Sequence, residues 1–298
     1  MKIICLGSLN IDRVYGVEDF VREGATISAV SYREFAGGKG MNQSVALGRA
    51  GAEAYHLGCI GSDGSWLKPI LEQAGVNTAG LRTVEGSTGH AVIQVNPQGK
   101  NCIIVAAGTN GKVTEDMVIQ ELAPFGAEDL LLMQNETACV PFAMKAAKDR
   151  GMRVAFNPSP VTADLFSYPL QLVDYLILNE VEGELLTGVS AEVQPEQLLN
   201  ALAEQYPNAT VVLTLGSAGV MAAKGQQRWA HQAYPVVPVD TTGAGDTFCG
   251  YFLAALAKGL SMEPALATAS RAAAIAITKQ GAVPSIPDWQ QVNDQKTW

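Results

Sequence analysis

Short apolar runs alternating with longer helical stretches constrain this chain more than any other feature. Ile3–Leu6, Tyr55–Ile60, Leu130–Gln134, Arg153–Phe156, Tyr175–Leu178 and Thr210–Leu215 are 4–6 residues long and often apolar throughout. A strand with apolar side chains on both faces must be covered on both faces, as strands inside a parallel sheet are. Between the runs lie stretches with helical spacing at Met41–Ala50, Trp66–Ala74, Thr114–Leu122, Val140–Arg150 and Pro195–Gln205. Two more follow at Asp246–Lys258 and Glu263–Thr278, the second rich in Ala and carrying Pro264 in its first turn. The alternation predicts an α/β fold with a mostly parallel sheet and helices on both sides. A chain of 298 residues, 48% of them hydrophobic, can bury a core of that kind as one large domain with a small appendage.

Two segments break the pattern. Residues 12–36 contain no good helix and alternate in polarity, as in Thr26-Ile27-Ser28-Ala29-Val30-Ser31-Tyr32. Residues 87–107 read as two strands, His90–Val95 and Asn101–Val105, joined by the turn-forming Asn96-Pro97-Gln98-Gly99-Lys100. Both predict antiparallel β structure. It could be a small sheet covering a cleft, an oligomer surface, or extra edge strands of the main sheet.

Charge narrows the partners. Lys and Arg number 20 against 29 Asp and Glu, a net charge of −9, which disfavours nucleic acid and anionic membrane surfaces. No apolar run reaches the ~18 residues a membrane span needs. The four apolar residues after Lys2 are too few for a signal-peptide core and fit a buried first strand. Five scattered Cys without C-x-x-C spacing predict free thiols and a cytoplasmic protein. The three His lack metal spacing, and neither G-x-S-x-G nor H-E-x-x-H occurs.

The strongest local signal is Val239-Asp240-Thr241-Thr242-Gly243-Ala244-Gly245-Asp246-Thr247-Phe248. A small-residue turn feeding a helix leaves aligned backbone N–H groups and a helix dipole, together an anion site. Asp246 there is either a capping residue or a base that accepts the proton of a hydroxyl attacking a phosphoryl group. A second signal is Ala36-Gly37-Gly38-Lys39-Gly40-Met41-Asn42-Gln43, read as a plain turn into a helix or as a close backbone approach to ligand with Lys39 and Asn42 as donors. It is neither a P-loop nor the dinucleotide fingerprint. Asn179-Glu180-Val181-Glu182 ends an apolar run. It is either a helix start or, at a strand's C-terminal end, a group suited to magnesium and phosphate. Asn10-Ile11-Asp12 could bind neighbouring hydroxyls or form a turn. Thr214-Leu215-Gly216-Ser217-Ala218-Gly219 could lie against a nucleotide or be a hairpin turn into Val220–Ala223.

Together these segments resemble the ribokinase family, the phosphofructokinase-B type of carbohydrate kinases, over nearly the whole length. The Gly37-to-Asn42 and Asp240-to-Thr247 blocks look like its two signature motifs, about 200 residues apart and in the expected order. The resemblance implies one domain over 1–298, a Rossmann-like three-layer α/β/α core with a small β-sheet lid from about 12–36 and 87–107. It implies ATP-dependent phosphorylation of a sugar hydroxyl, expected to be ribose to ribose 5-phosphate. By matching position, Asp246 looks like the base and Gly243, Ala244 and Gly245 the anion hole. Asn10, Asp12, Gly38, Lys39, Asn42 and Glu136 look like sugar contacts. Asn179, Thr214, Gly216, Gly219, Gly245 and Ser270 look like nucleotide contacts, with Glu182 governing Mg2+. Asp240, Thr242, Ala276, Lys279, Gly281 and Ser285 look like a monovalent-cation site for K+. A homodimer through the lid is expected. His90 and Asn135 depart from the family's usual apolar residues near the sugar pocket. Another sugar or a nucleoside as substrate, or a non-catalytic sugar-binding regulator, are the rival readings. A nicotinamide oxidoreductase lacks its glycine fingerprint.

Overall fold

The computed structural model describes residues 1–190 and 194–294. Its strands are β1 (Ile3–Leu6), β2 (Asn10–Gly16), β3 (Ser31–Gly37), β4 (Ala54–Ile60), β5 (Val76–Thr83), β6 (Gly89–Val95), β7 (Asn101–Ala106), β8 (Leu130–Gln134), β9 (Arg153–Asn157), β10 (Tyr175–Asn179), β11 (Thr210–Thr214), β12 (Val220–Lys224) and β13 (Gln227–His231). The helices are α1 (Lys39–Arg49), α2 (Leu67–Gln73), α3 (Glu115–Leu122), α4 (Val140–Asp149), α5 (Glu180–Thr187), α6 (Pro195–Gln205), α7 (Ala244–Ala257), α8 (Met262–Ala276) and α9 (Trp289–Asn293).

The large sheet runs β13-β12-β11-β10-β9-β8-β1-β4-β5. From β5 to β11 every pairing is parallel, while β12 and β13 add antiparallel at one edge. Side-chain alternation explains why the inner strands are apolar throughout. Ile3 and Cys5 enter a core shared with Val45, Phe252 and Leu266, whereas Ile4 and Leu6 enter a second core with Val118, Ala143 and Leu199. Helices therefore cover both faces in an α/β/α sandwich. Each fully buried aliphatic side chain contributes roughly 1.5–3 kcal/mol.

Chain order reverses beside β1: β4 and β5 lie on one side and β8 to β11 on the other. In such sheets a crevice opens between strands whose following loops leave in opposite directions. Here it opens beyond the C-terminal ends of β1 and β8, the ends that lead to Ser8 and Glu136.

The irregular segments form a separate sheet, β3-β2-β6-β7, and not extra edges of the main sheet. It is mixed: β2–β3 and β6–β7 are antiparallel, but β2–β6 is parallel. The Thr26–Tyr32 alternation is strand only from Ser31 onward, because residues 21–30 are exposed and find no partner ladder. The helix around Asp246 begins two residues earlier than expected, at Ala244, so Asp246 is its third residue and no cap. β5, β13 and α9 carry no apolar run and were not anticipated. β5 buries only alternate residues at its start, and β13 is a largely exposed edge. Among the described residues no helix is long and apolar enough to cross a membrane.

Candidate active site

Glycines bring the two motifs together. A Cβ on Gly40 would lie 2.4 Å from the Gly7 Cα and carbonyl carbon, so the first turn of α1 rests directly on the backbone leaving β1. Gly243 takes φ 74° as the N-cap of α7, a conformation that favours glycine. It turns the chain so that the helix enters facing α1. Asp246 and the Asn42–Gln43 pair meet there across more than 200 residues of sequence: Asn42 Nδ2 donates to Asp246 Oδ2 at 2.8 Å and Gln43 Nε2 donates to Oδ1 at 2.9 Å.

These bonds dispose of the capping alternative, since no side chain caps α7. Burial raises the Asp246 carboxyl above its ordinary range, a rise opposed by Lys39, Asn42 and Gln43 and reinforced by Glu136. A carboxylate held in that balance is a stronger proton acceptor than a free one, yet it is oriented by two donors. Beside it, the Ala244 N–H donates to the Thr241 carbonyl at 3.2 Å. The next amides, of Gly245 and Asp246, belong to the helix's first turn, where no main-chain acceptor is available. Both residues line a cavity of about 270 Å³ with Lys39, Asn157, Asn179, Glu182 and Thr214.

Of the residues expected at the sugar, Lys39 lines this cavity, and the others are linked to it or to Asp246 or lie on β2 and at the start of α1. Lys39 Nζ pairs with Glu136 Oε1 at 3.1 Å, and Glu136 Oε2 accepts the Lys39 N–H at 3.1 Å and the Ser8 hydroxyl at 2.5 Å. Burial works against the Lys39 charge, but Glu136, Asp246 and Glu182 outweigh it and raise the ammonium's pKa. The Asp12 carboxyl is pushed up to about 6, chiefly by burial, then by Glu136, with Lys39 opposing. Gly37 on the adjacent strand leaves room for it: a Cβ there would lie 2.1 Å from Asp12 Oδ2. Asn10 is buried, and its Oδ1 accepts from Asn110 Nδ2 at 2.8 Å. Gly38 is the N-cap of α1 at φ 93°.

Asn179, Thr214, Gly216, Gly219, Gly245 and Ser270 all line a second cavity of about 590 Å³, which shares Asn179, Thr214, Thr241, Ala244 and Gly245 with the first. Asn179 and Glu182 form the helix start that one reading of their segment expects. Asn179 Oδ1 accepts the Glu182 N–H at 2.9 Å and Glu182 Oε2 accepts the Asn179 N–H at 3.0 Å, a capping box that also faces the cleft. Thr214 ends β11, a 3-10 turn follows at Gly216–Ala218, and β12 returns antiparallel from Val220, as the hairpin reading of that segment expects.

The residues expected at a monovalent cation lie where the 240 loop meets the segment after α8. Asp240 Oδ1 accepts from the Thr242 N–H and hydroxyl at 2.9 and 2.6 Å, and Oδ2 accepts the Gly281 N–H at 2.8 Å. Burial opposes its charge, but those donors outweigh it and lower the carboxyl's pKa. Ala276 gives its carbonyl to Lys279 N–H at 3.1 Å, and the buried Ser285 hydroxyl donates to the Ala282 carbonyl at 2.7 Å. The donor set, one carboxylate with carbonyl and hydroxyl oxygens, is of the hard-oxygen type a potassium ion takes. No cluster of three or more His, Cys, Asp or Glu able to hold a metal occurs among the described residues.

Five buried or half-buried groups around the site have no separate signal in the sequence: Ser8, Gln43, Asn110, Gln134 and Asn157. Gln43 lies inside the second motif but without a chemistry that sets it apart. The two departures resolve locally. Asn135 Nδ2 donates to the Pro160 carbonyl at 2.7 Å and to Thr162 at 3.0 Å, so it ties two loops together. His90 Nδ1 lies 3.1 Å from the Thr88 carbonyl two residues away.

Relatives match this chain over nearly its whole length. The profile described as pfkB family carbohydrate kinase matches residues 1–289. The ribokinase of Haemophilus influenzae is 40% identical over 96% of this chain and 95% of its own. Among solved structures, the ribokinase of Cryptococcus neoformans in complex with ADP superposes with a TM-score of 0.85 at 34% identity, covering 99% of both chains. That of Arabidopsis thaliana complexed with ribose and ATP gives 0.85 at 32% identity, covering 97% of this chain and 96% of the other. Two motifs joined at one carboxylate that lines a cavity, and full-length likeness on these terms, have one meaning: the chain belongs to the pfkB family of carbohydrate kinases.

Proposed function

We propose that this protein transfers the γ-phosphoryl group of ATP to the primary hydroxyl of ribose, releasing ADP and ribose 5-phosphate. The single observation that carries the reading is the Asp246 carboxylate, held by two amide donors where the Lys39–Glu136 cluster meets the Asn179–Thr214 cavity. The names of the Haemophilus and Arabidopsis relatives, and the ribose and ATP bound by the latter, support the choice of substrates.

In this mechanism Asp246 takes the proton of the sugar hydroxyl as its oxygen forms a bond to the γ-phosphorus. The bond from phosphorus to the bridging oxygen breaks, and ADP leaves with that electron pair. The anion hole is the Gly243, Ala244 and Gly245 turn; with the Ala244 amide engaged by the Thr241 carbonyl, the Gly245 amide, joined by that of Asp246 and by the α7 dipole, faces the charge spread over the transferred group. Lys39, Glu136, Asn10, Asp12, Gly38 and Asn42 hold the sugar. Asn179, Thr214, Gly216, Gly219 and Ser270 hold the nucleotide. Glu182 would hold Mg2+ through water, the metal neutralising phosphate charge. Asp240, Thr242, Ala276, Lys279, Gly281 and Ser285 would hold a potassium ion whose charge organises the loop before α7. The four-stranded sheet serves as the lid that excludes water. Its exposed Ile103, Ile104 and Val105 support dimerisation through the lid. Five free cysteines support a cytoplasmic location.

The test is an ADP-release assay over a panel of pentoses, hexoses and nucleosides, with and without potassium. Turnover on ribose above every other acceptor, stimulated by potassium, is expected. Good turnover on a nucleoside with none on ribose overturns the substrate choice.

The sugar side also makes a pH prediction. Asp12 is a strong, two-oxygen acceptor for sugar hydroxyls when ionised and a weaker one when protonated, and burial pushes its carboxyl up to about 6. The KM for ribose is therefore expected to rise about 10-fold between pH 7 and pH 5 as the stronger acceptor is lost, with Asp12→Asn flat over the same range. A pH-independent KM in the parent enzyme removes Asp12 from the sugar site.

A further inference from the structure

Behind Asp246 lies a chain of side-chain amides that the mechanism above does not use. Gln43 is fully buried. Its Nε2 donates to Asp246 Oδ1 at 2.9 Å and to Asn157 Oδ1 at 3.3 Å, while Asn157 is itself pinned by donating to the Ile177 carbonyl at 2.9 Å. Its Oε1 accepts from Gln134 Nε2 at 2.6 Å and from the Cys249 thiol at 3.6 Å. The polarity is forced. An ionised carboxylate only accepts, so Gln43 must turn its NH2 toward Asp246. Its oxygen then faces Gln134, which must in turn present NH2.

Gln134 bears a cost for doing so. It ends a strand whose other members are Leu130, Leu131, Leu132 and Met133, and it is 1% exposed. Its Nε2 also reaches the Cys5 sulfur at 3.5 Å, but its Oε1 is buried with no hydrogen-bond partner. Room for that oxygen exists because residue 7 is glycine: a Cβ there would lie 2.7 Å from it. Flipping the amide would set oxygen against oxygen at Gln43. A buried unsatisfied carbonyl is destabilising, and an aliphatic residue would suit the strand better. What the glutamine offers at this place is its N–H pointing toward Gln43.

We infer that Gln134 and Gln43 form a positioning relay that fixes the Asp246 carboxylate for proton abstraction. This rests on the reading of Asp246 as the base. Neither amide touches substrate or carries the proton. Gln134 locks Gln43 in one orientation, and Gln43 holds one carboxylate oxygen while Asn42 holds the other. The free lone pairs are thereby aimed into the cleft, and the charged form is favoured against burial. The other groups facing Asp246 are Lys39 of α1, Glu136 after β8, Glu182 across the cleft, Cys5 of β1 and Cys249 of α7 itself.

Gln43→Met and Gln134→Met test the relay in the full-length enzyme, through kcat, both KM values, the pH profile of kcat and thermal unfolding. Each is expected to lower kcat about 10- to 100-fold, with KM for ribose and ATP changed less than about threefold. The acidic limb should move to higher pH, in Gln43→Met because a donor that favours the charged carboxylate is gone, and in Gln134→Met because Gln43 is no longer locked with its NH2 toward that carboxylate. Gln134→Met should unfold at no lower temperature than the parent, and the double variant should lose no more than Gln43→Met alone. If Gln43→Met does not fold, Gln134→Met decides by itself. A normal kcat and unmoved acidic limb in Gln134→Met, or a lowered melting temperature with an unmoved limb, overturns the relay. Asp246→Asn is run alongside. Its normal turnover would sink the base assignment itself, whereas an inactive Asp246→Asn beside a normal Gln134→Met sinks the relay alone.

Discussion

An Asp246→Asn variant is expected to turn over roughly 10²–10⁴-fold more slowly than the parent while still binding ribose and ADP within a few-fold. Each decade corresponds to about 1.36 kcal/mol of barrier, so the loss spans about 3–5 kcal/mol. Asparagine matches aspartate in shape but cannot accept a proton at neutral pH. It also changes what Asn42 and Gln43 meet. In the parent both donate to one carboxylate, at 2.8 and 2.9 Å. In the variant one of them faces an NH2 group, so the new side chain keeps one of the two bonds. The measurement pairs single-turnover kinetics with calorimetric titration of ADP and of ribose. Affinities that survive while turnover falls place the loss in the chemical step. Turnover near the parent's value would mean that another group takes the proton.

How much of this could be read in advance follows from where each signal resides. Ile3–Leu6 and Leu130–Gln134 were legible to the residue because strands buried on both faces read as nearly unbroken apolar runs, with Gln134 marking the end of the second. β5 was not, since its exposed alternate positions carry Asn77 and Ala79 and mimic a loop. The residues of the two glycine motifs were legible because a turn that must enter a helix in close approach to neighbouring backbone admits few side chains. Asn179 and Glu182 were legible as a helix start, because an Asn with a Glu three residues later is the spacing of the capping box they form. Gln43, Gln134, Asn110 and Ser8 were not. Their partners lie 203, 91, 100 and 128 residues away, and an amide or hydroxyl is an ordinary residue until the fold sets it against a carboxylate or another amide. The cleft is thus written twice, once locally in glycines and once non-locally in buried amides.

The glycine half of that statement yields a second large effect, in Gly40→Ala. A methyl group there would lie 2.4 Å from the Cα and carbonyl carbon of Gly7 and from the Ser8 nitrogen, all of them backbone atoms that cannot rotate aside. Relief to ordinary contact needs a displacement on the order of 1 Å between the start of α1 and the end of β1. That turn carries Lys39, Asn42 and Gln43, so the shift would disturb the Glu136 cluster and the Asp246 donors together. It would also strain the Met41 N–H bond to the Ser8 carbonyl, 2.8 Å in the parent. Overpacking of this kind costs about 1–3 kcal/mol of stability, and a misplacement near 1 Å at a catalytic group costs about 100-fold in rate. Gly111→Ala is the control, because a Cβ at that position meets no atom within 4 Å. Thermal unfolding and kcat/KM on both variants read the two effects separately. A Gly40→Ala enzyme that melts and turns over like the control would mean that α1 can move off β1 without cost, and that the contact between the two glycines does not hold the sugar cluster and the base in register.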